Sequence, residues 1–183
     1  MNTLTDNAIM LKVKAGDLDK MSLLFERYHR SLYGFLFHMT YQREASEDMV
    51  QLVFYKMLKY SHTFTGTGEF IHWMYSIARN VLKDRGKRKQ LQMQQEGVEE
   101  LADKLAGGIS PEELLEKKQA KIELYKAMEK LSNDHREVLT LSRFQELKHH
   151  EIAEILNISE VAVKTRAHRA MQELKNIYTK IER

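Results

Sequence analysis

Cysteine is absent from all 183 positions, proline occurs once, and glycine occurs only eight times. Without cysteine the chain forms no disulfide, no thiol nucleophile and no cysteine-ligated metal site. So few helix breakers, together with ten methionines and many Leu, Glu, Lys and Ala residues, favour helices. The scarcity of helix breakers and the abundance of helix-forming residues therefore predict an all-α protein.

Long apolar runs are also missing. No stretch approaches the ~20 residues that a bilayer span needs, and the first residues, MNTLTDNAIM, lack the apolar core of a signal peptide. We therefore expect a cytoplasmic protein without membrane insertion. The glycine-containing stretch SHTFTGTGEF lacks the Gly-Lys-Ser/Thr of a phosphate-binding loop. We expect no cofactor and no metal.

The charges are distributed unevenly along the chain. Residues 1–95 carry a net charge of +5, residues 96–116 carry −6, and residues 117–183 carry +4. Basic segments favour a polyanionic partner, most often nucleic acid. Residues 90–108 are polar, acidic and poorly periodic, which is typical of a linker. We predict two small helical domains, 1–95 and 112–183, joined by a flexible acidic linker at 96–111.

The stretch HHEIAEILNISEVAVKTRAHRAMQELKN, residues 149–176, has the pattern of a helix-turn-helix. Ile152, Ala153 and Leu156 share one face of a short first helix. Asn157 tolerates the left-handed backbone that a tight turn requires, and Ser159 can cap a second helix. The second helix is then expected to enter the major groove of DNA.

At 100° per residue, the second helix has one apolar stripe and one polar, cationic face. The apolar stripe consists of Val163, Ala167, Ala170 and Leu174. The opposite face carries Lys164, Thr165, His168 and Arg169, with Arg166 towards the side. Such a face suits contacts with base edges and phosphates, although a solvated helix surface has the same composition.

Aromatic and basic residues alternate in FIHWMYSIARNVLKDRGKRKQ, residues 70–90. Stacking surfaces beside cations are what single-stranded nucleic acid requires. The alternative is structural, because Trp73 and Ile77 lie one helical turn apart and Trp73 would then belong to the core. Spacing alone leaves both interpretations open.

Three motifs occur in one order: DMVQLVFYKM, WMYSIARNVLKDR and the helix-turn-helix. Together they resemble RNA polymerase sigma factors of the sigma-70 family, in the extracytoplasmic-function (ECF) subgroup. The resemblance covers conserved region 2 at about residues 8–90 and region 4 at about 112–178. It implies a transcription initiation factor that binds core RNA polymerase, recognises −10 and −35 promoter elements and promotes strand opening. It also implies an anti-sigma factor as a partner.

The resemblance assigns roles to individual residues. Contacts with core RNA polymerase fall to Asp48, Gln51, Phe54 and Tyr55. Contacts with the melted −10 element, including capture of a flipped base, fall to Lys56, Phe64, Trp73, Asn80, Lys83, Arg85 and Arg88. Contacts with the −35 duplex fall to Lys164, Thr165, Arg166, His168 and Arg169.

Other functions explain less of the chain. A conventional helix-turn-helix regulator accounts for the C-terminal motif but not for the first two motifs. An enzyme is disfavoured. His149, His150 and Glu154 cluster, but His150 and Glu154 form an i,i+4 pair with no third ligand or activated nucleophile nearby. We assign no catalytic residue. The chain also departs from the family pattern at Glu146, where a glycine commonly ends the preceding helix.

Overall fold

The structure is a computed structural model that describes residues 4–93 and 111–181. Within these residues it contains helices and turns and no β-strand, which confirms the predicted all-α class. The N-terminal half consists of α1 (Asp6–Lys14), α2 (Met21–Thr40), α3 (Arg43–Lys59) and α4 (Phe70–Met93). The C-terminal half consists of α5 (Pro111–Glu129), α6 (Asn133–Leu139), α7 (His149–Leu156) and α8 (Glu160–Ile181). The predicted linker lies outside the described residues except for its last residue, Pro111, which begins α5.

The N-terminal half packs α2, α3 and α4 around a shared apolar core. Leu32 and Phe35 of α2, Val53 and Met57 of α3, and Tyr75 of α4 are all fully buried. Between α2 and α3 the helical path breaks at residues 41 and 42. The break falls where Tyr41 takes a left-handed backbone with φ 53°, and its N–H closes α2 on the carbonyl oxygen of Phe37.

The C-terminal half begins with α5 and continues through a short π-helical turn, Thr140–Phe144, that follows α6. Ser132 caps α6, and its side chain accepts a hydrogen bond from the His135 N–H at 3.3 Å. The apolar side of α8 packs against α5, α6 and α7. No helix in the described part of the chain is long and apolar enough to cross a bilayer.

Two non-glycine residues outside α2 hold a left-handed backbone, Glu146 with φ 55° and Asn157 with φ 54°. Asn157 confirms the prediction of a left-handed turn residue. Glu146 occupies the position where the family commonly has glycine, and its side chain is exposed. A left-handed conformation costs an L-residue ~1–2 kcal/mol, so this position is strained.

A Glu146→Gly variant should therefore unfold at higher denaturant concentration than the parent. Relief of the strain exceeds the extra flexibility that glycine gives the unfolded chain, for a net gain of about 0.5–1 kcal/mol. Asn157→Val should lower stability by ~1–2 kcal/mol, because a β-branched residue fits this backbone poorly. Urea unfolding followed by circular dichroism measures both. A destabilised Glu146→Gly variant would contradict the strain argument.

The two halves pack against each other through Arg79 of α4. Its guanidinium donates to both carboxylate oxygens of Glu137 in α6, at 2.7 and 3.2 Å, and to the Ile155 carbonyl oxygen in α7 at 2.9 Å. The Arg79 and Glu137 side chains are only 21% and 11% exposed. Arg136 of α6 makes a second link, donating to the Met39 carbonyl oxygen of α2 at 3.2 Å. Charge-assisted hydrogen bonds therefore hold the halves together.

Aromatic rings form another part of this inter-half interface. The His38 ring of α2 stacks on Phe144 with ring centroids 3.8 Å apart, and Tyr125 of α5 contacts it edge-on at 5.6 Å. His38 is 9% exposed, and its Nδ1 has no hydrogen-bond partner among the described residues. The interface therefore keeps an imidazole ring in an apolar environment.

An amide and a glycine complete the interface beside α2. The Gln145 side-chain amide lies 2.8 Å from the Ser31 hydroxyl and 3.2 Å from the Tyr75 hydroxyl. A Cβ atom at Gly34 would lie 3.2 Å from this amide nitrogen. Glycine inside α2 thus gives Gln145 room to reach the N-terminal half.

Acid should weaken the packing of the two halves. Burial, and then the nearby charge of Lys121, lower the pKa of His38 to about 4, whereas an exposed imidazole titrates near ~6.5. Tyr125, Tyr41 and Lys121 surround the ring, and none of them is a carboxylate that would favour the charged form. The neutral His38 ring therefore contributes its full stabilisation of the packed halves above pH ~6.5. This contribution is lost as the pH falls towards 4.

We expect the docking equilibrium constant to fall roughly thirtyfold between pH 7.5 and pH 5. Because the chain has no cysteine, dyes on Glu44→Cys and Gln172→Cys report the separation by energy transfer without background labelling. His38→Phe keeps the ring stack and should remove the pH dependence. Equal pH dependence in both proteins would assign the effect to another group.

Candidate nucleic-acid interface

The turn between α7 and α8 has the geometry of a helix-turn-helix. The Ile158 N–H bonds back to the Ala153 carbonyl oxygen at 3.1 Å, across the left-handed Asn157. The Ser159 hydroxyl accepts from the Ala162 N–H at 3.1 Å, which confirms its predicted role as the cap of the second helix. The turn therefore fixes the direction in which α8 leaves α7.

The predicted stripe of α8 is apolar and inward-facing. Val163, Ala170 and Leu174 are buried, and Ala167 packs against the same core. The opposite side is exposed and carries Lys164, Thr165, His168 and Arg169. A helix that buries one side and exposes hydrogen-bonding and cationic groups on the other suits the major groove.

Contacts on this exposed face are local. Lys164 Nζ lies 2.9 Å from Glu160 Oε1, one turn earlier on α8. The hydrogen bond and charge of Lys164 lower the pKa of the exposed Glu160 carboxyl, with smaller contributions from His150 and His149. Since exposed ion pairs are weak, this pair leaves Lys164 available to a phosphate.

A groove beside the α8 face is lined by further basic side chains from the π-helical turn and the start of α7. The basic and imidazole residues of this groove are Arg143, Lys148, His149, His150, Lys164 and His168. Arg143 and Lys148 were not among the predicted DNA-binding residues, because they precede the helix-turn-helix motif. The groove broadens the positive surface beyond α8.

The exposed side of α3 carries a second group of candidates. Asp48, Gln51 and Tyr55 are exposed and share one face, because they are spaced by three and four residues. Tyr55 is 59% exposed, and Leu52 and Leu58 beside this face are also exposed large apolar residues. An exposed face with aromatic and aliphatic side chains is typical of a protein-binding surface.

The loop between α3 and α4, residues 64–69, stands next to the first turns of α4. Trp73 is half-buried, and its Nε1 donates to the Thr63 hydroxyl at 3.2 Å. Asn80 and Lys83 are exposed further along α4. An aromatic ring, an amide and an ammonium group thus occur on one helix beside an irregular loop, an arrangement that suits an unstacked base and its backbone.

Comparisons with known proteins identify two conserved regions in this chain. The family model for Sigma-70 region 2 matches residues 24–92, and the model for Sigma-70 region 4 matches residues 121–174. The ECF RNA polymerase sigma factor SigX of Bacillus subtilis is 31% identical over 163 residues, covering 86% of this chain and 82% of SigX. The chain belongs to the ECF sigma factors. The RNA polymerase sigma factor YlaC of the same organism is 32% identical, covering 88% of this chain and 94% of YlaC.

Solved structures share the fold of this ECF sigma factor. CnrH, solved in complex with the cytosolic domain of CnrY, superposes with a TM-score of 0.71 at 19% identity, covering 96% of this chain and 97% of CnrH. The sigma factor RpoE of Bartonella quintana, solved with the anti-sigma factor NepR, gives a TM-score of 0.69 at 20% identity, covering 88% and 98% of the two chains.

Membership of this family decides between the alternatives. A conventional helix-turn-helix regulator does not account for region 2, whereas a sigma factor directs RNA polymerase to promoters and uses both regions. Among the described residues, no group of three His, Cys, Asp or Glu side chains could hold a metal ion.

Two aromatic residues that were expected to touch a partner lie instead in the core of the sigma factor. Phe54 is 6% exposed and packs on Phe25 with ring centroids 4.9 Å apart. Phe64 is 3% exposed and packs on Trp73 at 5.2 Å. Both side chains pack beneath exposed residues and support them. A direct contact with polymerase or DNA is therefore no longer assigned to Phe54 or Phe64.

Three expected DNA-binding cations have protein partners. Lys56 pairs with Asp84 at 3.0 Å, and Arg85 donates to the Gln42 side-chain oxygen at 2.7 Å. The Arg166 guanidinium lies 3.7 Å from Asp134 of α6, on the flank of α8. The carboxylate partners of Lys56 and Arg166 are exposed, and such pairs are weak, so these two cations remain available to a phosphate in the same way as Lys164. Arg88 lies in α4, and its side chain is outside the described part of the structure.

Proposed function

We propose that this sigma factor divides promoter recognition between two of its surfaces and docks on core RNA polymerase with a third. The observation that carries the proposal is the exposed basic face of α8, which lies opposite a buried apolar stripe and follows the capped turn at Asn157. This face belongs to a chain that also carries region 2.

Core RNA polymerase binds the exposed face of α3 in this proposal. Asp48, Gln51 and Tyr55 supply polar and aromatic contacts, and the exposed Leu52 and Leu58 add apolar area. Aromatic residues with adjacent apolar side chains commonly dominate the binding energy of protein interfaces. Phe54 supports this face through its packing on Phe25.

The −10 element is bound as a single strand by the 64–69 loop and α4. Trp73 offers a partly exposed ring, Asn80 an amide for base edges, and Lys83 a charge for the backbone. Opening a duplex loses ~1.4 kcal/mol of stacking per step, while one captured base regains ~1–3 kcal/mol. Opening several base pairs therefore requires additional free energy, which polymerase contacts supply.

The −35 element is read as a duplex by α8. Lys164, Thr165, His168 and Arg169 face outward, and the basic groove beside them supplies phosphate contacts. Arg166 reaches the flank of this surface only if it leaves Asp134. Base contacts set the promoter sequence, and phosphate contacts set the affinity and its salt dependence.

The docked arrangement has to open before both elements are bound. Arg79 is the neighbour of Asn80, and its guanidinium contacts α7, the first helix of the helix-turn-helix. The two DNA-binding surfaces thus belong to helices in direct contact, whereas promoter elements two helical turns apart are separated by roughly 70 Å. The 16 residues of the predicted acidic linker, 96–111, reach at most ~58 Å when fully extended, so the linker can supply most of that separation.

Regulation by an anti-sigma factor is part of the proposal. It is supported by the RpoE relative, which was solved with such a partner. The protein acts in the cytoplasm, where its polymerase and promoters are, and it acts by binding without catalysing a reaction of its own.

Run-off transcription with core RNA polymerase and fragmented genomic DNA tests the function. We expect new transcripts only when the protein is present, starting downstream of shared −10 and −35 sequences. Absence of new starts together with no binding to core would contradict the proposal. Binding of duplex DNA without core would favour a conventional regulator instead.

A further inference from the structure

One face of α1 lies against the 64–69 loop. Asn7, Leu11 and Lys14 share this face because they are spaced by four and three residues. Asn7 Nδ2 donates to the carbonyl oxygen of Gly68 at 2.9 Å. Lys14 Nζ donates to the carbonyl oxygen of Phe64 at 2.7 Å. Both ends of the loop are thus tied to one short helix that lies more than 45 residues earlier in the chain.

The middle of the loop sits directly on the same helix face. Gly66 has φ +77°, and a Cβ atom there would lie 3.3 Å from the methyl carbons of Leu11. Asn7 Nδ2 also lies 3.5 Å from the Gly66 carbonyl oxygen. Glycine is required at this position both by its backbone and by its contact with α1.

Asn7 also fixes the start of α4. Its Oδ1 accepts a hydrogen bond from the N–H of Phe70, the first residue of α4, at 2.8 Å. Helix N-terminal N–H groups need such a partner, and here it comes from a distant helix. In turn, α1 is fixed to α2, because Asp6 bonds both Arg27 and Tyr28.

These hydrogen bonds from α1 to the loop backbone also fix which groups of the loop are exposed. The carbonyl oxygens of residues 64, 66 and 68 accept hydrogen bonds from α1, whereas the side chains at 65, 67 and 69 are exposed. Thr65 and Thr67 are exposed, and their hydroxyl oxygens lie 2.8 Å apart. A pair of mutually bonded hydroxyls on a fixed backbone offers a defined pattern of donors and acceptors to a base edge.

We propose that Asn7 and Lys14 are positioning residues for −10 recognition, holding the 64–69 loop in the one shape that distinguishes between bases. The inference rests on the proposed function of that loop. Neither residue touches DNA in this proposal. Without the Asn7 and Lys14 side chains the loop remains but varies in conformation. Its affinity for single-stranded DNA therefore persists, while its selectivity among −10 bases falls.

The test uses holoenzyme assembled from the full-length variants and a promoter obtained by run-off transcription. Initiation is measured on the cognate promoter and on promoters with each single base change in the −10 and −35 elements. Asn7→Leu and Lys14→Met should each reduce −10 discrimination by roughly tenfold or more, as expected for loss of one hydrogen bond at Lys14 and up to three at Asn7. Discrimination at −35 and the affinity for core polymerase should not change.

Two matched variants serve as controls. Lys12→Met removes an exposed charge from the same helix, where the side chain makes no hydrogen bond among the described residues, and it should behave as the parent. Lys14→Arg keeps a donor for the Phe64 carbonyl oxygen and should restore most of the −10 discrimination. Thermal unfolding by circular dichroism measures how much of each variant is folded.

Several results would overturn the inference. One is −10 discrimination within twofold of the parent in both folded variants. Another is parallel loss of −10 selectivity, −35 selectivity and core binding, which would reduce the contacts to a role in folding. An equal loss in Lys12→Met would assign the effect to charge. A parent holoenzyme that ignores the −10 sequence would instead refute the proposed function of the loop, and the inference with it.

Discussion

Reversing the charges of Lys164 and Arg169 together, as Lys164→Glu/Arg169→Glu, should lower promoter-directed transcription roughly a hundredfold or more at physiological salt. The variant replaces two exposed cations of α8 with two anions facing the phosphates. Each lost phosphate contact weakens binding and lowers its salt dependence, and the new anions add repulsion. The buried stripe of α8 is untouched, so the fold should persist.

A control variant separates this surface from the net charge of the protein. Lys126→Glu/Lys130→Glu makes the same charge change at exposed positions in and just after α5, away from the basic groove. It should retain nearly full transcription. Both variants should bind core polymerase as the parent does, because α3 is unchanged. Equal activity of the α8 variant and the α5 variant would refute −35 recognition by α8.

Replacing Arg79 with methionine should separate the two halves of the free protein. Glu137 would then remain 11% exposed without its cation, and an unpaired carboxylate in such a place costs ~2–4 kcal/mol. Separation removes that cost, because it lets water reach Glu137. We expect energy transfer between dyes at residues 44 and 172 to fall sharply, while helix content by circular dichroism stays constant.

Two comparisons make the Arg79 experiment specific. Arg43→Met removes a cation from the exposed Arg43–Glu47 pair, whose side chains are 75% and 52% exposed, and should leave energy transfer unchanged. Arg79→Met combined with Glu137→Leu removes both charges and should recover much of the docking. Unchanged energy transfer in Arg79→Met would mean that the aromatic contacts suffice without the ion pair.

The helix-turn-helix was predictable because its determinants are local. Asn157 and Ser159 act within four residues of their own positions, and the α8 stripe follows from helical periodicity. The assignment of Phe54 could also have been corrected from the sequence. At 100° per residue, Tyr55 lies about 20° from Asp48 around the helix, whereas Phe54 lies about 120° away.

Other features could not be predicted from the chain because they join distant segments. Arg79 and Glu137 are 58 positions apart, and Asn7 and Gly68 are 61 apart. From the sequence alone, an arginine among other basic residues, such as Arg79, suggests a DNA contact. Only the structure shows that its partner is Glu137. The same applies to Lys56 and Arg85, whose pairing with Asp84 and Gln42 depends on how α3 and α4 lie side by side.

Docking of the two halves has a thermodynamic consequence for affinity. A promoter that must engage both DNA-binding surfaces selects the separated form, so its apparent affinity is the intrinsic affinity multiplied by the separated fraction. At a separated fraction of about 1%, binding is ~100-fold weaker with no change in any DNA contact. Substitutions far from DNA, such as those at Arg79 or His38, would thus shift the concentration of sigma factor at which promoters begin to respond.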